Sequence, residues 1–149
     1  MRVEFGGLAP LIQVFDMPAS IYFYCDVLGF EVVTAAGPVP DCDWALLRRK
    51  SDEIMLNTQF ESDDRPAAPD PARQRAHGDT CFYFGCDDLD AAYAHLQANG
   101  VAAEKPSVAP YGMRQLYFKD PDGFSLCFQH PASKETVEQW REWYGSDPR

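Results

Sequence analysis

The residues best suited to chemistry in this sequence are thiols, which can act as nucleophiles or as metal ligands. The five cysteines are Cys25, Cys42, Cys81, Cys86 and Cys127. An odd number of cysteines without a Cys-x-x-Cys pair argues against a disulfide framework and against a zinc ribbon. A nucleophilic cysteine also needs a neighbouring base, and the sequence places none near Cys81 or Cys127. We therefore expect free thiols and a cytoplasmic protein.

Three histidines could bind a metal or transfer protons, but their positions argue against both roles. His77 lies in a proline-rich connection and His95 lies off the apolar face of a predicted helix, so both should be solvated. His130 alternates with Cys127 along the last predicted strand and should point to the opposite face. The sequence contains no glycine-rich phosphate loop, no Gly-x-Ser-x-Gly elbow and no His-Glu-x-x-His helix. These patterns leave no catalytic residue to name.

Length and charge narrow the class of protein. The 149 residues are 46% hydrophobic, which is enough for one core and predicts a single domain over residues 1–149. A formal net charge of -10 would repel nucleic acids and anionic membranes and would attract cationic ligands. The apolar stretch near the N-terminus is interrupted by Gln13 and Asp16 before it is long enough for export or insertion. We expect no nucleic-acid partner and no membrane segment.

Two segments repeat one helical pattern. Asp16 and Asp87 are suited to cap a helix, and Gly29 and Gly100 are suited to end it. The apolar positions between them are Pro18, Ile21, Tyr22 and Cys25 in the first segment and Leu89, Ala92, Tyr93 and Leu96 in the second. The two aspartates, the two glycines and the two tyrosines are each 71 positions apart. This constant spacing indicates an internal duplication.

Strands are predicted around each of these helices. One strand precedes each helix at 8–15 and 81–86, and one follows at 30–34 and 101–103. Two more strands are predicted in each half, at 44–49, 53–58, 113–119 and 124–129. Each half is therefore a βαβββ module, over residues 8–58 and 80–130, with a linker over 59–79. Residues 131–149 are predicted to form a helical tail, in which Trp140 and Trp143 need burial against this chain or a partner.

Short segments in this order resemble a known superfamily. They are Val14-Phe15-Asp16, Phe23-Tyr24, Leu28-Gly29-Phe30, Asp87-Asp88-Leu89-Asp90-Ala91, Asn99-Gly100-Val101, Tyr111-Gly112-Met113-Arg114 and Asp120-Pro121-Asp122-Gly123-Phe124. Over about residues 8–130 the set resembles the vicinal oxygen chelate superfamily of glyoxalases, extradiol dioxygenases and bleomycin-resistance proteins, and most of all the bleomycin-resistance group. The resemblance implies an α+β fold in which two βαβββ modules form an incomplete mixed β-barrel with a concave binding face, followed by a C-terminal helix.

The resemblance also locates the positions that hold a metal in the metal-dependent members. Those members carry His, Gln or Glu at four positions, which here are Ala9, Met55, Cys81 and Cys127. A methyl group and a thioether cannot replace the oxygen and nitrogen ligands that glyoxalase and dioxygenase metals need. The three sulfur atoms could together hold a thiophilic ion such as copper(I), but Met and Cys more often fill apolar interiors. We expect no metal and no other cofactor.

Without a metal, the concave face implied by the resemblance could still bind a ligand. Strand alternation places Leu11, Gln13, Asn57, Tyr83, Ser125 and Gln129 on the face of those four positions. Aromatic residues near the strand ends could stack on a planar ligand or could pack in the core or a dimer interface. Arg114 stands in an apolar strand and must be paired or bind something. The predicted ligand-binding residues are Trp44, Met55, Asn57, Phe60, Cys81, Tyr83, Tyr111, Arg114 and Cys127.

The leading interpretation is a metal-independent protein, similar to bleomycin-resistance proteins, that sequesters a drug or metabolite in a cleft shared by two subunits of a homodimer. The acidic balance favours a cationic ligand. The alternative is a lyase, isomerase or dioxygenase with a divergent metal site, although all four ligand positions lack their usual residues. A third hypothesis is a dimeric interaction domain without a ligand, with Trp140 and Trp143 in its interface.

Overall fold

A computed structural model describes residues 1–144, apart from the side chains at positions 62, 139, 140, 143 and 144. The chain divides into two compact units, Met1–Pro69 and Asp70–Arg149. Within the described part, no helix is both long and apolar enough to cross a membrane. The predicted burial of Trp140 and Trp143 concerns side chains that lie outside the described residues.

The first unit is a four-stranded mixed sheet covered by one helix. Its elements are β1 (Leu11–Val14), α1 (Met17–Ile21), a π-helical continuation of α1 (Tyr22–Val27), β2 (Glu31–Ala36), β3 (Trp44–Arg49), β4 (Asp52–Thr58) and a 3-10 turn (Ser62–Asp64). The strands lie in the order β1-β4-β3-β2, with β1 parallel to β4 and the other pairs antiparallel. Alternate residues, among them Val14, Leu47 and Leu56, are buried on the side of the sheet that α1 contacts.

The second unit repeats this arrangement and adds two helices. Its elements are α2 (Pro71–His77), β5 (Cys81–Gly85), α3 (Leu89–Ala98), β6 (Ser107–Val108), β7 (Met113–Lys119), β8 (Ser125–Pro131) and α4 (Lys134–Tyr144). The strand order is β5-β8-β7-β6, with β5 parallel to β8. Helix α3 contacts β7 and β8, whose residues Leu116 and Leu126 are fully buried. The predicted α+β class, the two βαβββ modules and the C-terminal helix are confirmed.

The helix caps confirm one predicted N-cap and correct the other. Asp16 accepts a hydrogen bond from the backbone N–H of Ala19 at 3.1 Å, as an N-cap does. In the second half the cap is Asp88, which accepts from the N–H of Ala91 at 2.9 Å, and the prediction of Asp87 was wrong. Two consecutive aspartates precede α3, and spacing alone could not decide between them.

With Asp88 as the second N-cap, the spacing between the two halves is no longer 71 positions throughout. Met55 and Cys127 lie at equivalent places in their sheets and are 72 positions apart, as are the two caps. Gly29 and Gly100, which end the helices with φ of 81° and 72°, are 71 apart. The first helix therefore contains one extra residue. Its continuation, Tyr22–Val27, accommodates this residue because a π-helical turn holds one residue more than an α-helical turn.

The extra residue also rotates the side chains of the first helix. Tyr22 is 54% exposed, so the predicted apolar face through Tyr22 and Cys25 was wrong. The buried residues of the helix are Met17, Ser20, Ile21, Phe23, Tyr24 and Val27. In α3 the predicted face is confirmed, since Leu89 and Leu96 are buried. Tyr22 and Tyr93 are identical residues at positions that are not equivalent.

Two of the predicted strands, 101–103 and 8–15, differ from the strands in the structure. Residues 101–103 form only a bridge from Ala103 to Phe118, and the edge strand of this sheet is Ser107–Val108. Pro106 between them offers no N–H to a ladder, and the alanines and charges before it favour strands weakly. The first strand begins at Leu11 because Pro10 likewise has no N–H to donate.

Helix α2 lies in the segment that was predicted as a linker. Asp70 caps it by accepting from Ala72 N–H at 2.9 Å, and Pro71 suits its first turn. His77, at its end, stacks on Phe124 with ring centroids 4.1 Å apart. His77 is therefore half-buried and not fully solvated as expected, because a capped helix carries its ring onto Phe124, in the turn before β8. His95 is exposed, as expected.

Candidate functional site

The open face of the first sheet is mostly apolar. Alternation from β1, β3 and β4 brings together Leu11, Trp44 and Met55, none of which is buried. Its polar pair is Gln13 and Asn57, which are register partners, with Asn57 Nδ2 donating to Gln13 Oε1 at 3.1 Å. Of the predicted binding residues, Trp44, Met55 and Asn57 therefore share this face.

Phe60 follows the end of β4 rather than lying within the sheet. Its ring packs edge-on against Phe15, with centroids 6.0 Å apart. This contact accounts for its position without a ligand.

The open face of the second sheet carries a continuous hydrogen-bond network. Gln115 is at its centre and is 5% exposed. Its Nε2 donates to Tyr111 Oη at 2.7 Å and to Gln129 Oε1 at 3.1 Å. Its Oε1 accepts from Tyr117 Oη at 3.2 Å, and Tyr117 Oη lies 3.1 Å from Tyr83 Oη. We call these five residues the tyrosine–glutamine network.

The ends of the tyrosine–glutamine network are accessible while its centre is not. Tyr83 is 51% exposed and Tyr111 is 57% exposed. The rings of Tyr83 and Tyr117 meet edge to face with centroids 6.3 Å apart. The network therefore offers two exposed aromatic rings whose hydroxyl groups are held in place by a buried amide.

Two thiols lie on the same face as this network. Burial raises the pKa of Cys127 to about 11. Burial also raises the pKa of Cys81. At neutral pH these thiols are therefore uncharged, and neither has the thiolate character of a nucleophile.

The four positions mapped onto the metal site do not fit a divalent metal. Ala9 precedes β1 and Met55 lies on the first sheet, while Cys81 and Cys127 lie on the second. Methyl, thioether and protonated thiol groups are poor ligands for such ions. Over the described residues, no group of three or more His, Cys, Asp or Glu side chains could hold a metal ion.

Arg114 lies on the other face of β7, which α3 covers. Its guanidinium makes a bidentate ion pair with Asp90 of α3, at 2.8 and 3.1 Å. The hydrogen bond from Arg114 lowers the pKa of Asp90. Arg114 is therefore paired, as a charged residue in an apolar strand must be. The structure does not bring it together with Tyr83 or Cys127.

Tyr111 joins the second face through Gln115, although it lies in the turn before β7. Gln115 and Tyr117 were not among the predicted binding residues. The signal was available, because both alternate with Met113 along β7 and pair with Gln129 and Cys127 across the sheet.

Comparisons with known proteins establish the family. The model of the Glyoxalase/Bleomycin resistance protein/Dioxygenase superfamily matches residues 7–128. The "Uncharacterized protein YaeR" of Escherichia coli (strain K12) is 35% identical over 115 residues, which cover 74% of this chain and 84% of that protein. The chain therefore belongs to the glyoxalase/bleomycin resistance protein/dioxygenase superfamily, and the resemblance seen in the sequence is confirmed.

Two solved structures from Streptomyces sp. CB03234 share the fold. TnmS3, described as an antibiotic binding protein, is 25% identical with a TM-score of 0.64, covering 88% of this chain and 99% of that one. A glyoxalase/bleomycin resistance protein is 26% identical with a TM-score of 0.59, covering 84% of this chain and 100% of that one.

Proposed function

We propose that this protein binds a planar, largely apolar drug or metabolite without a metal ion. The observation that carries the proposal is the open face of the second sheet, where Cys81 and Cys127 occupy two of the four mapped metal positions and tyrosine and glutamine side chains share the face with them. Exposed aromatic rings such as Tyr83 and Tyr111 can stack on a flat ligand. Fixed amide and hydroxyl groups beside them can orient it.

The same face favours binding over catalysis. A nucleophile needs an activated, partly ionised group, and burial keeps the Cys127 thiol protonated. The remaining groups of the tyrosine–glutamine network are neutral donors and acceptors already engaged with one another. Such an arrangement recognises shape and hydrogen-bonding pattern rather than moving protons.

Relatives support an antibiotic as the ligand. TnmS3, which shares this fold, is described as an antibiotic binding protein. Sequestration of an antibiotic would need only tight binding, which the face described above could supply. The net charge of -10 would raise the local concentration of a cationic antibiotic through long-range attraction.

We also propose a cytoplasmic homodimer. Val3, Phe5 and Leu8 are between 80% and 91% exposed, and apolar side chains clustered in one segment favour burial against a second copy. All five cysteines are free, which suits a reducing compartment. Sedimentation velocity should give the mass of two chains, and a single-chain mass would contradict the dimer.

The metal-independent part is tested by elemental analysis of the purified protein and by thermal shifts with nickel, zinc, iron(II) and manganese. We expect substoichiometric metal and no large shift with any ion. Near one equivalent of metal per chain, or a large stabilisation by one ion, would overturn this part.

The binding part is tested by titrating bleomycin and a panel of flat aromatic antibiotics in the presence of EDTA, by calorimetry and tryptophan emission. We expect at least one compound to bind saturably and Tyr83→Ala to weaken it. Tyr22→Ala is the matched control, because Tyr22 is 54% exposed but lies on the first helix. If no compound binds, or if both variants weaken binding equally, the proposed site is wrong.

A further inference from the structure

The tyrosine–glutamine network has a direction, which follows from the orientation of the Gln115 and Gln129 amides in the structure and from counting their protons. The amide of Gln115 donates both of its protons, one to Tyr111 and one to Gln129. Its carbonyl oxygen accepts the single hydroxyl proton of Tyr117. Because Tyr117 has no second proton, the 3.1 Å contact between the two phenols must use the proton of Tyr83.

The same count determines what each exposed end can offer to a ligand. The hydroxyl of Tyr83 has donated its proton to Tyr117 and presents lone pairs. The hydroxyl of Tyr111 has accepted a hydrogen bond from Gln115 and keeps its own proton, and the amide nitrogen of Gln129 keeps two. One end is thus an acceptor and the other end is a donor.

Burial at the centre opposes a reversal of this direction. Reversing it would require the amide of Gln115, which is 5% exposed, to turn together with that of Gln129 and with every hydroxyl proton. No carboxylate, ammonium or guanidinium group takes part in the network, so its donors and acceptors are all neutral.

We propose that this face selects a planar ligand that presents a hydrogen-bond donor to Tyr83 and a carbonyl acceptor to Tyr111 and Gln129. The inference rests on the proposed function and adds the class of ligand and its orientation. Molecules with an amino or hydroxyl group at one end of a fused ring and a carbonyl at the other fit this pattern.

Three probes of similar size separate the two ends. 7-Aminocoumarin carries a donor and a carbonyl at opposite ends, coumarin carries only the carbonyl, and 2-naphthylamine carries only the donor. Binding is followed by calorimetry and by the backbone amide NMR shifts of Cys127 and Gln129. We expect 7-aminocoumarin to bind more tightly than either partner probe.

Single-atom variants then assign each end. Tyr83→Phe should weaken 7-aminocoumarin and 2-naphthylamine roughly two- to tenfold, the worth of one hydrogen bond, and leave coumarin unchanged. Tyr111→Phe should weaken 7-aminocoumarin and coumarin and leave 2-naphthylamine unchanged. Tyr22→Phe, which is off the face, should change none of them. A variant that merely disturbed the sheet would weaken all three probes together.

The contrary outcomes are distinct. If Tyr83→Phe weakens coumarin instead of 2-naphthylamine, the network runs the other way and the inference is overturned. Equal losses for all probes, or no binding of any probe while an antibiotic of the panel binds, overturn the ligand class but leave the proposed function. If neither probes nor antibiotics bind, both fail.

Discussion

The capping of α3 allows a sharp test, because two neighbouring aspartates should behave differently. Asp88 accepts the Ala91 N–H at 2.9 Å, whereas the side chain of Asp87 is 92% exposed and lies 3.7 Å from His130. Replacing an N-cap aspartate by alanine costs about 1 kcal/mol. For a chain of this size that corresponds to a fall in Tm of about 2–4 °C. Asp87→Ala should leave the Tm unchanged, since an exposed ion pair of this kind contributes little.

A third variant separates the contribution of the Asp88 charge to stability from the contribution of its capping hydrogen bond. The pKa of Arg114 is raised mainly by its hydrogen bond with Asp90 and to a lesser degree by the charge of Asp88, so alanine at position 88 removes both a charge interaction and a cap. Asp88→Asn keeps a capping oxygen without the charge and should retain most of the stability. The assay is thermal and urea unfolding followed by circular dichroism. Equal losses for Asp87→Ala and Asp88→Ala, or for the asparagine and alanine variants, would refute the assignment of the cap.

Three further predictions follow from glycine geometry and from titrating groups. Gly123→Ala should destabilise far more than Gly100→Ala in urea unfolding, because both have positive φ but only at Gly123 would the new Cβ lie 2.3 Å from a backbone oxygen of α2. The unfolded thiol of Cys127 ionises near 9.0 and the folded one near about 11, so stability should fall as pH rises between these values, and less so in Cys127→Ala. Arg114→Gln should raise the pKa of Asp90, measured by NMR, and should reduce the stability lost on acidification, because Asp90 has a lowered pKa in the folded protein.

Much of the fold could be predicted from the sequence, since aspartates before apolar runs, glycines after them and alternating strands are local signals. What could not be predicted depended on context. The π-helical turn at Tyr22–Val27 has no composition of its own, and it became evident only from the register of β1 against β4. Helix α2 has no apolar periodicity, and tertiary contacts show where it docks, namely the stacking of His77 on Phe124 and the hydrogen bond from Gln74 Nε2 to the backbone oxygen of Pro121.

The candidate site was predicted in part, for a similar reason. Period-two alternation correctly grouped Tyr83 with Cys127, because these residues are register partners. Alternation gave no information on the partner of Arg114. The partner is Asp90, and it is determined by which residue of α3 lies next to β7. The central role of Gln115 depends on its burial, which a glutamine in a sequence does not reveal.

The two changes of length between the halves explain how a duplicated chain could acquire two different surfaces. One extra residue lies in the first helix, and one lies in the turn between β7 and β8, so that Leu46 and Tyr117 are 71 positions apart while Met55 and Cys127 are again 72 apart. Had either residue entered a strand, every side chain beyond it would have changed faces.

Because the two extra residues lie in a helix and a turn, the strands of the two halves keep the same register. Substitutions can then change a side chain on a sheet face without changing which face it lies on. Leucine at positions 11 and 46 occupies the places that tyrosine occupies at 83 and 117, and Trp44 stands where the second half has Gln115. The duplicated scaffold thus carries an apolar copy and a hydrogen-bonding copy, whose side chains occupy matching places in the two sheets.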